Sequence, residues 1–384
     1  MKYALITLAL LVSLPGVAVA QTASTSPFEV AGWIPYWRVS EGTRDARKHL
    51  ASIDVLYPFA FSVQTDGKLK DLAGLNKYSW TRLFKEARTK EKLVIPTIMW
   101  SDTNTIHTLL SDPKSRAAHV KRIIAMVRAG RYDGVDIDYE GKKAETKEHF
   151  AAFLKELKEG LGDKILSCTI EARTPPDSLY APGKIPNPLT YANDYTAINE
   201  HCDRVNIMAY DQQRADLKLN AARIGAPYYP VADVAWVRKV IELAIKDIDA
   251  EKIILSIPTY GRELEVTVAP DWFKSYAQLW SVSEEYALDT AKEYGVTPIR
   301  NSAGELSYSY VPEGSPYEGK FTDAATALAY ANRTGETVKV NFVSWSDAEA
   351  VRQKVEIAKE FNLKGISLFK IDGGEDQKIW DILK

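Results

Sequence analysis

Arg131-Tyr132-Asp133-Gly134-Val135-Asp136-Ile137-Asp138-Tyr139-Glu140 is the stretch on which the reading of this chain turns. With the two-residue period of a strand, Gly134, Asp136, Asp138 and Glu140 share one face, and Val135, Ile137 and Tyr139 share the other. The apolar face has to meet a packed layer, so the acids point the opposite way, into the interior of whatever the strand helps to enclose. Three carboxylates aimed at a protein interior are not an ordinary solvated face. Like charges crowded into a partly dry site raise at least one pKa, which keeps a carboxyl protonated near neutral pH. Asp133 has the opposite parity and reads as structural support. The competing reading is a structural acid cluster or a calcium site, but calcium loops need Gly and oxygen ligands on a turn, and this pattern is a strand.

Outward from this stretch, short apolar runs alternate with longer segments of helical period along the whole chain. The strand-like runs are 30–36, 55–61, 93–99, 134–140, 165–171, 204–210, 252–259 and 365–370. Helical segments lie between them at 79–89, 113–129, 144–161, 234–248 and 347–360. Asp112 before Pro113 reads as an N-cap with a first-turn proline, and Ser346 with Glu349 as a capping box. Eight strands, each followed by a helix, predict a (β/α)8 TIM barrel whose carboxyl end, where Glu140 stands, carries the active site. One interval breaks the rhythm: Thr259 to Gly365 spans about a hundred residues where a βα unit needs roughly thirty. A small α+β insertion after the seventh strand accounts for it, with 272–294 reading as helix and 305–311 and 337–345 as strands. The expected organisation is a leader over 1–20, a barrel over 27–384 and an insertion over 263–342.

The leader reading rests on Lys2, the apolar run Ala4 to Leu14 and the small-x-small Ala18-Val19-Ala20. The run is too short to span a bilayer, although a retained anchor is the alternative. Cleavage near Ala20 would export the chain to a periplasm, cell envelope or medium. The 49 Lys and Arg against 51 Asp and Glu give a formal net charge of −2. That balance offers no field for nucleic acid or an anionic membrane, and a self-contained barrel makes a monomer the expectation. Cys168 reads as mid-strand and Cys202 as preceding the next strand, a placement taken to hold them too far apart to bond, so two buried thiols are expected. No His pairs with Cys, Asp or Glu at metal-ligand spacing, so neither metal nor cofactor is implied.

Asp133-x-x-Asp136-x-Asp138-x-Glu140 resembles the signature of glycoside hydrolase family 18, the chitinases and their relatives. Val30-Ala31-Gly32-Trp33-Ile34-Pro35-Tyr36-Trp37 is similar to the family's first strand, Met208-Ala209-Tyr210-Asp211 to its sixth and Ile257-Pro258-Thr259-Tyr260-Gly261-Arg262 to its seventh. The resemblance implies an exported retaining glycosidase acting on β-1,4 bonds of N-acetylglucosamine glycans through substrate-assisted catalysis. By the same resemblance Glu140 is the acid and later the base, and Asp138 holds the acetamido N–H and steadies the oxazolinium ion. Asp136 tunes Asp138, Tyr210 donates to the acetamido carbonyl, and Asp211 binds the reacting sugar or orients its neighbours. A core aromatic with a satisfied hydroxyl is the other reading of Tyr210.

Aromatic residues near expected strand ends or in the insertion suit stacking on pyranose faces: Trp33, Tyr36, Trp37, Phe59, Phe61, Trp100, Tyr260 and Trp345. Taken singly each is more readily a core residue than a sugar contact; as a group they favour a carbohydrate cleft. The third strand lacks the Ser-x-Gly-Gly run of many chitinases, and Phe369 aligns with the tryptophan that often floors the pocket. In these features the chain resembles the branch with bacterial spore-cortex and peptidoglycan-acting members more than typical secreted chitinases. On the fifth strand Ser167, Thr169, Glu171 and Arg173 share a parity. Glu171 and Arg173 are expected to line the cleft and contact substrate or Tyr210, with an internal ion pair as the alternative. Chitin oligosaccharides and peptidoglycan both stay open as substrates, and a non-hydrolysing, lectin-like sugar binder is the second class of function.

Overall fold

The computed structural model describes residues 27–383, so the expected leader lies outside the described residues. Seven of the barrel strands come first among the described residues: β1 (Glu29–Pro35), β2 (Val55–Val63), β3 (Thr97–Trp100), β4 (Gly134–Tyr139), β5 (Ile165–Glu171), β6 (Arg204–Met208) and β7 (Ile253–Pro258). An insertion supplies β8 (Gly261–Ala269), β9 (Trp272–Val282), β10 (Ile299–Arg300), β11 (Leu306–Tyr310) and β12 (Val338–Trp345), and β13 (Gly365–Phe369) is the eighth barrel strand. Each barrel strand pairs in parallel with its neighbour, and β1 bonds to both β2 and β13, which closes the ring. The expected (β/α)8 barrel is the fold. The insertion strands form a separate five-stranded antiparallel sheet in the order β9-β8-β12-β11-β10.

Helices α1 (Val39–Lys48), α2 (Tyr78–Thr89), α3 (Pro113–Gly130), α4 (Lys147–Leu161), α5 (Tyr195–His201) and α6 (Val234–Ala244) follow the first six barrel strands. The insertion adds α7 (Glu284–Glu293) and α8 (Ala324–Thr334), and α9 (Ala348–Glu360) returns to the barrel. Asp112 caps α3 as read, accepting from the Ser115 N–H at 2.9 Å. At α9 the cap moves one residue: Asp347, not Ser346, accepts from Ala350 N–H. Glu349 turns to Arg352 instead of closing a capping box. Val135, Ile137 and Tyr139 join Leu166, Cys168 and Ile170 in the core between barrel and helices, the burial that drives strand and helix layers together. A smaller cluster inside the barrel holds Trp33, Tyr57, Phe59 and Ile95.

Three further local readings differ in the structure. The third strand is interrupted, with Leu93–Val94 pairing before Pro96 and β3 beginning after it; proline has no N–H to give the ladder. Residues 272–282, expected to be helical, are β9, joined to β8 through the two-residue loop Pro270-Asp271, with Ala269 opposite Trp272. The aromatic spacing there suits either period, and the Pro-Asp turn decides it. Cys168 and Cys202 are disulfide-bonded, with Cα atoms 6.1 Å apart. The expectation of two thiols measured distance along the strands, whereas the bond runs sideways. Cys168 lies on the outer face of β5, and Cys202 caps the end of α5, just before Asp203, whose N–H bonds Leu166 O on β5.

Candidate active site

Parallel register places Thr97 beside Asp136, Met99 beside Asp138, and Asp136 beside Ser167. The acids of β4 therefore stack up the barrel axis against polar side chains of β3 and β5. Asp136 is fully buried and accepts from Thr169 Oγ1 (2.8 Å) and Thr97 Oγ1 (2.9 Å). Trp33 Nε1 donates to Thr97 Oγ1 at 3.0 Å, so a chain of donors ends on this carboxylate. Burial pushes the Asp136 carboxyl above the usual range, with the hydroxyl donors pulling against it. Asp138 sits one step nearer the mouth, almost wholly buried, and its Oδ1 has no hydrogen-bond partner among the described residues. Burial first, then Glu140 and Asp136, holds its carboxyl well above the ordinary range. Glu140 follows the last residue of β4, anchored by its N–H on Trp100 O at 2.8 Å. Its carboxyl is raised by burial and by Glu171, with Lys142 acting in the other direction. Adjacent carboxyls with unequal surroundings are the arrangement that separates acid from base roles.

Tyr210, after β6, lies against Phe369 with ring centres 5.3 Å apart and planes at 21°. Phe369 also meets Phe59, Trp33 and Tyr260 edge-on. Asp211, at φ 53° and exposed, accepts from Tyr260 Oη (2.8 Å) and Arg262 Nη2 (2.5 Å), which ties the barrel to the insertion. An open groove of about 640 Å³ runs from here between Phe369, Trp37, Arg38 and Trp280. Tyr36 stands at the mouth, edge-on to Trp37.

Several expected sugar contacts are elsewhere. Phe61 packs in the outer core, because an irregularity between Phe59 and Phe61 shifts the register of β2 by one residue. A one-residue slip sends a side chain to the opposite face, and Phe59 is the residue left inside. Trp100 pairs with Tyr139 on the helix side and packs edge-on against it. Trp33 is buried inside the barrel, stacked on Tyr57. Trp345 is buried within the insertion beside Tyr308. Arg173 lies between the rings of Tyr191 and Tyr195 and donates to Asn193 O. Glu171 reaches the backbone N–H of Gly141 at 2.7 Å and pairs with Lys142 rather than Arg173. Asp133 supports the barrel by accepting from Val94 N–H.

Sequence reasoning passed over Lys142, Thr97 and Trp280. Nothing in Glu140-Gly141-Lys142-Lys143 separates a buried lysine from an exposed one, and Trp280 fell in the segment read as helix. Thr97 had the inward parity that the reading of the third strand could have used. Among the described residues no group of three or more His, Cys, Asp or Glu could hold a metal ion.

A closed parallel barrel with stacked acids at its carboxyl end defines a class, the (β/α)8 barrels with an acidic site at that end. Residues 30–374 match the family model for Glycosyl hydrolases family 18. The chain belongs to glycoside hydrolase family 18, as the motif resemblance implied. It is 26% identical to the glycosylase YdhD of Bacillus subtilis (strain 168) over 284 residues, 73% of this chain but 57% of that protein. In structure it is similar to the spore cortex-lytic enzyme SleL of Bacillus cereus, with TM-score 0.69 and 19% identity over 93% of this chain and 73% of that one. It is also similar to a chitinase from Chromobacterium violaceum ATCC 12472, with TM-score 0.70 and 16% identity over 93% of this chain and 98% of that one. At such identities the solved structures speak for the shared fold.

Proposed function

We propose that this chain is an exported, retaining glycosidase that cleaves β-1,4 bonds beside N-acetylglucosamine in chitin oligosaccharides or peptidoglycan, acting as a single barrel. The observation that carries the reading is the unpartnered Oδ1 of buried Asp138, flanked by two further raised carboxyls. A buried acceptor without a donor costs free energy unless a ligand supplies one, and an acetamido N–H is such a donor. In the proposed step the acetamido oxygen bonds to the anomeric carbon as the glycosidic C–O bond breaks, and the Glu140 proton passes to the leaving oxygen. Asp138 balances the oxazolinium charge, Tyr210 donates to the acetamido oxygen, and Asp136 holds Asp138 in place. Water then attacks the anomeric carbon from the face the leaving group left, giving its proton to Glu140 as the bond to the acetamido oxygen breaks and the acetamido group is restored, so configuration is retained. Phe369, Tyr260 and Asp211 form the floor and wall of the sugar site.

Export is supported by the Ala18-Val19-Ala20 leader pattern and by the Cys168–Cys202 disulfide, a bond that persists in oxidising compartments. No helix among the described residues is long and apolar enough to cross a membrane. The domain reading stays as a leader over 1–20, a barrel over 27–384 and an insertion over 263–342. The test is hydrolysis of both polymers by wild type and Asp138→Asn. Loss of turnover in the variant supports the role of Asp138, and wild-type turnover in it removes that role.

A further inference from the structure

Lys142 plays no part in the chemistry just described, yet its side chain is 1% exposed at the mouth of the barrel. Its ammonium lies 4.6 Å over the Phe150 ring, donates to Tyr139 O and stands 3.8 Å from Glu171 Oε2. Glu171 meets it from the end of β5. One Glu171 oxygen accepts the Gly141 N–H at 2.7 Å and the other accepts Asn193 Nδ2 at 2.6 Å. The groups held are the carbonyl just before Glu140 and the amide and ammonium just after it. One cation and one carboxylate from a neighbouring strand therefore clamp the backbone on both sides of the acid.

A neutral side chain could staple this loop without the penalty of burying charge. The charge has its counterpart in the surroundings: Asp138 and Glu140 face Lys142 from β4 and Glu171 faces it from β5. Glu140 in turn faces Glu171, Lys142 and, beyond β6, Asp211. Burial lowers the Lys142 ammonium while these three carboxylates hold it up.

The geometry points to Lys142 and Glu171 as positioning residues that clamp the peptide carrying Glu140 and offset the negative charge crowded around it, without touching substrate. This rests on Glu140 being the acid. Lys142→Met keeps the chain length against Phe150 and removes the charge. Misplacement of a reacting group by about 1 Å costs on the order of 100-fold, so kcat should fall about 10- to 100-fold with KM within about threefold. The descending limb of kcat/KM against pH should move to higher pH, because without the cation Glu140 keeps its proton longer. Glu171→Ala should lower kcat in the same way, and Glu171→Gln should recover much of it, since its amide oxygen still accepts the Gly141 N–H. The free Asn193 Oδ1 can then take the new N–H.

The experiment measures kcat, KM and the pH profile of Lys142→Met, Glu171→Ala, Glu171→Gln and Glu140→Gln on N-acetylglucosamine oligomers, with melting temperature alongside. Lowered kcat, a shifted limb and rescue by Gln are expected. A folded Lys142→Met with wild-type kcat and an unmoved limb overturns the inference while a dead Glu140→Gln leaves the acid reading standing. Wild-type turnover in Glu140→Gln overturns both. Should Lys142→Met fail to fold, the Glu171 pair carries the test: equal loss in Ala and Gln overturns the clamp.

Discussion

Replacing Cys168 and Cys202 together with alanine should destabilise the folded protein by an amount that follows from their spacing. The bond closes a loop with a sequence separation of 34, entirely between β5 and the end of α5. In the chain-entropy account, freeing a loop of this length in the unfolded state costs about 4 kcal/mol at 25 °C. Both cysteines are fully buried, so the alanines also leave small voids that add about 1 kcal/mol or more. Reduced wild type isolates the first effect from the second. Urea unfolding followed by tryptophan fluorescence should place the reduced protein's midpoint about 1 M or more below the oxidised one, with the double variant lower again. Two free thiols titrating in the denatured, unreduced protein would refute the reasoning at its root. Coincident midpoints for oxidised and reduced protein would refute the magnitude.

Phe369→Ala removes the face stacked on Tyr210 and should raise KM for N-acetylglucosamine oligomers about 2- to 10-fold, the worth of one aromatic contact. Initial-rate kinetics reads this, and an unchanged KM contradicts it. Asp138→Asn should melt higher than wild type at pH 7. Burial and its acidic neighbours raise the folded Asp138 carboxyl above its unfolded value. Wild-type stability therefore falls as pH rises from the unfolded value through the folded one, a loss the variant escapes. Calorimetry from pH 4 to 8 should show the gap opening with pH, and a gap of the opposite sign contradicts the assignment. Gly134→Ala would set a Cβ 2.1 Å from Ile165 O, between β4 and β5. About 3 kcal/mol of stability should be lost, read by urea midpoint, and a neutral effect contradicts the strand register.

The barrel was legible because its signal is periodic. The alternation through Gly134–Tyr139 names the inward face, and repetition of βα units names the closure. The acids at Asp136, Asp138 and Glu140 follow from parity alone. What stayed hidden depends on contacts made sideways or on a single slipped residue. The irregularity in β2 exchanges Phe59 for Phe61, and no pattern in Val55–Val63 announces it. Trp100 has outward parity beside Tyr139, so reading aromatic type before parity misplaced it. The disulfide joins a strand to the end of a helix, Arg173 is taken by Tyr191 and by Tyr195 at the start of α5, and Lys142 is buried by Phe150 and Glu171. Each is a tertiary contact between segments whose local patterns carry no mark of it.

The most direct test of the central claim is hydrolysis of N-acetylglucosamine oligomers and purified peptidoglycan by wild type beside Glu140→Gln, with product anomers followed by NMR. Cleavage of at least one polymer is expected, with the β anomer appearing first and a loss in Glu140→Gln of about 100- to 10,000-fold with folding intact. Wild-type turnover in Glu140→Gln, or sugar binding by the wild type with cleavage of neither polymer, would contradict the claim.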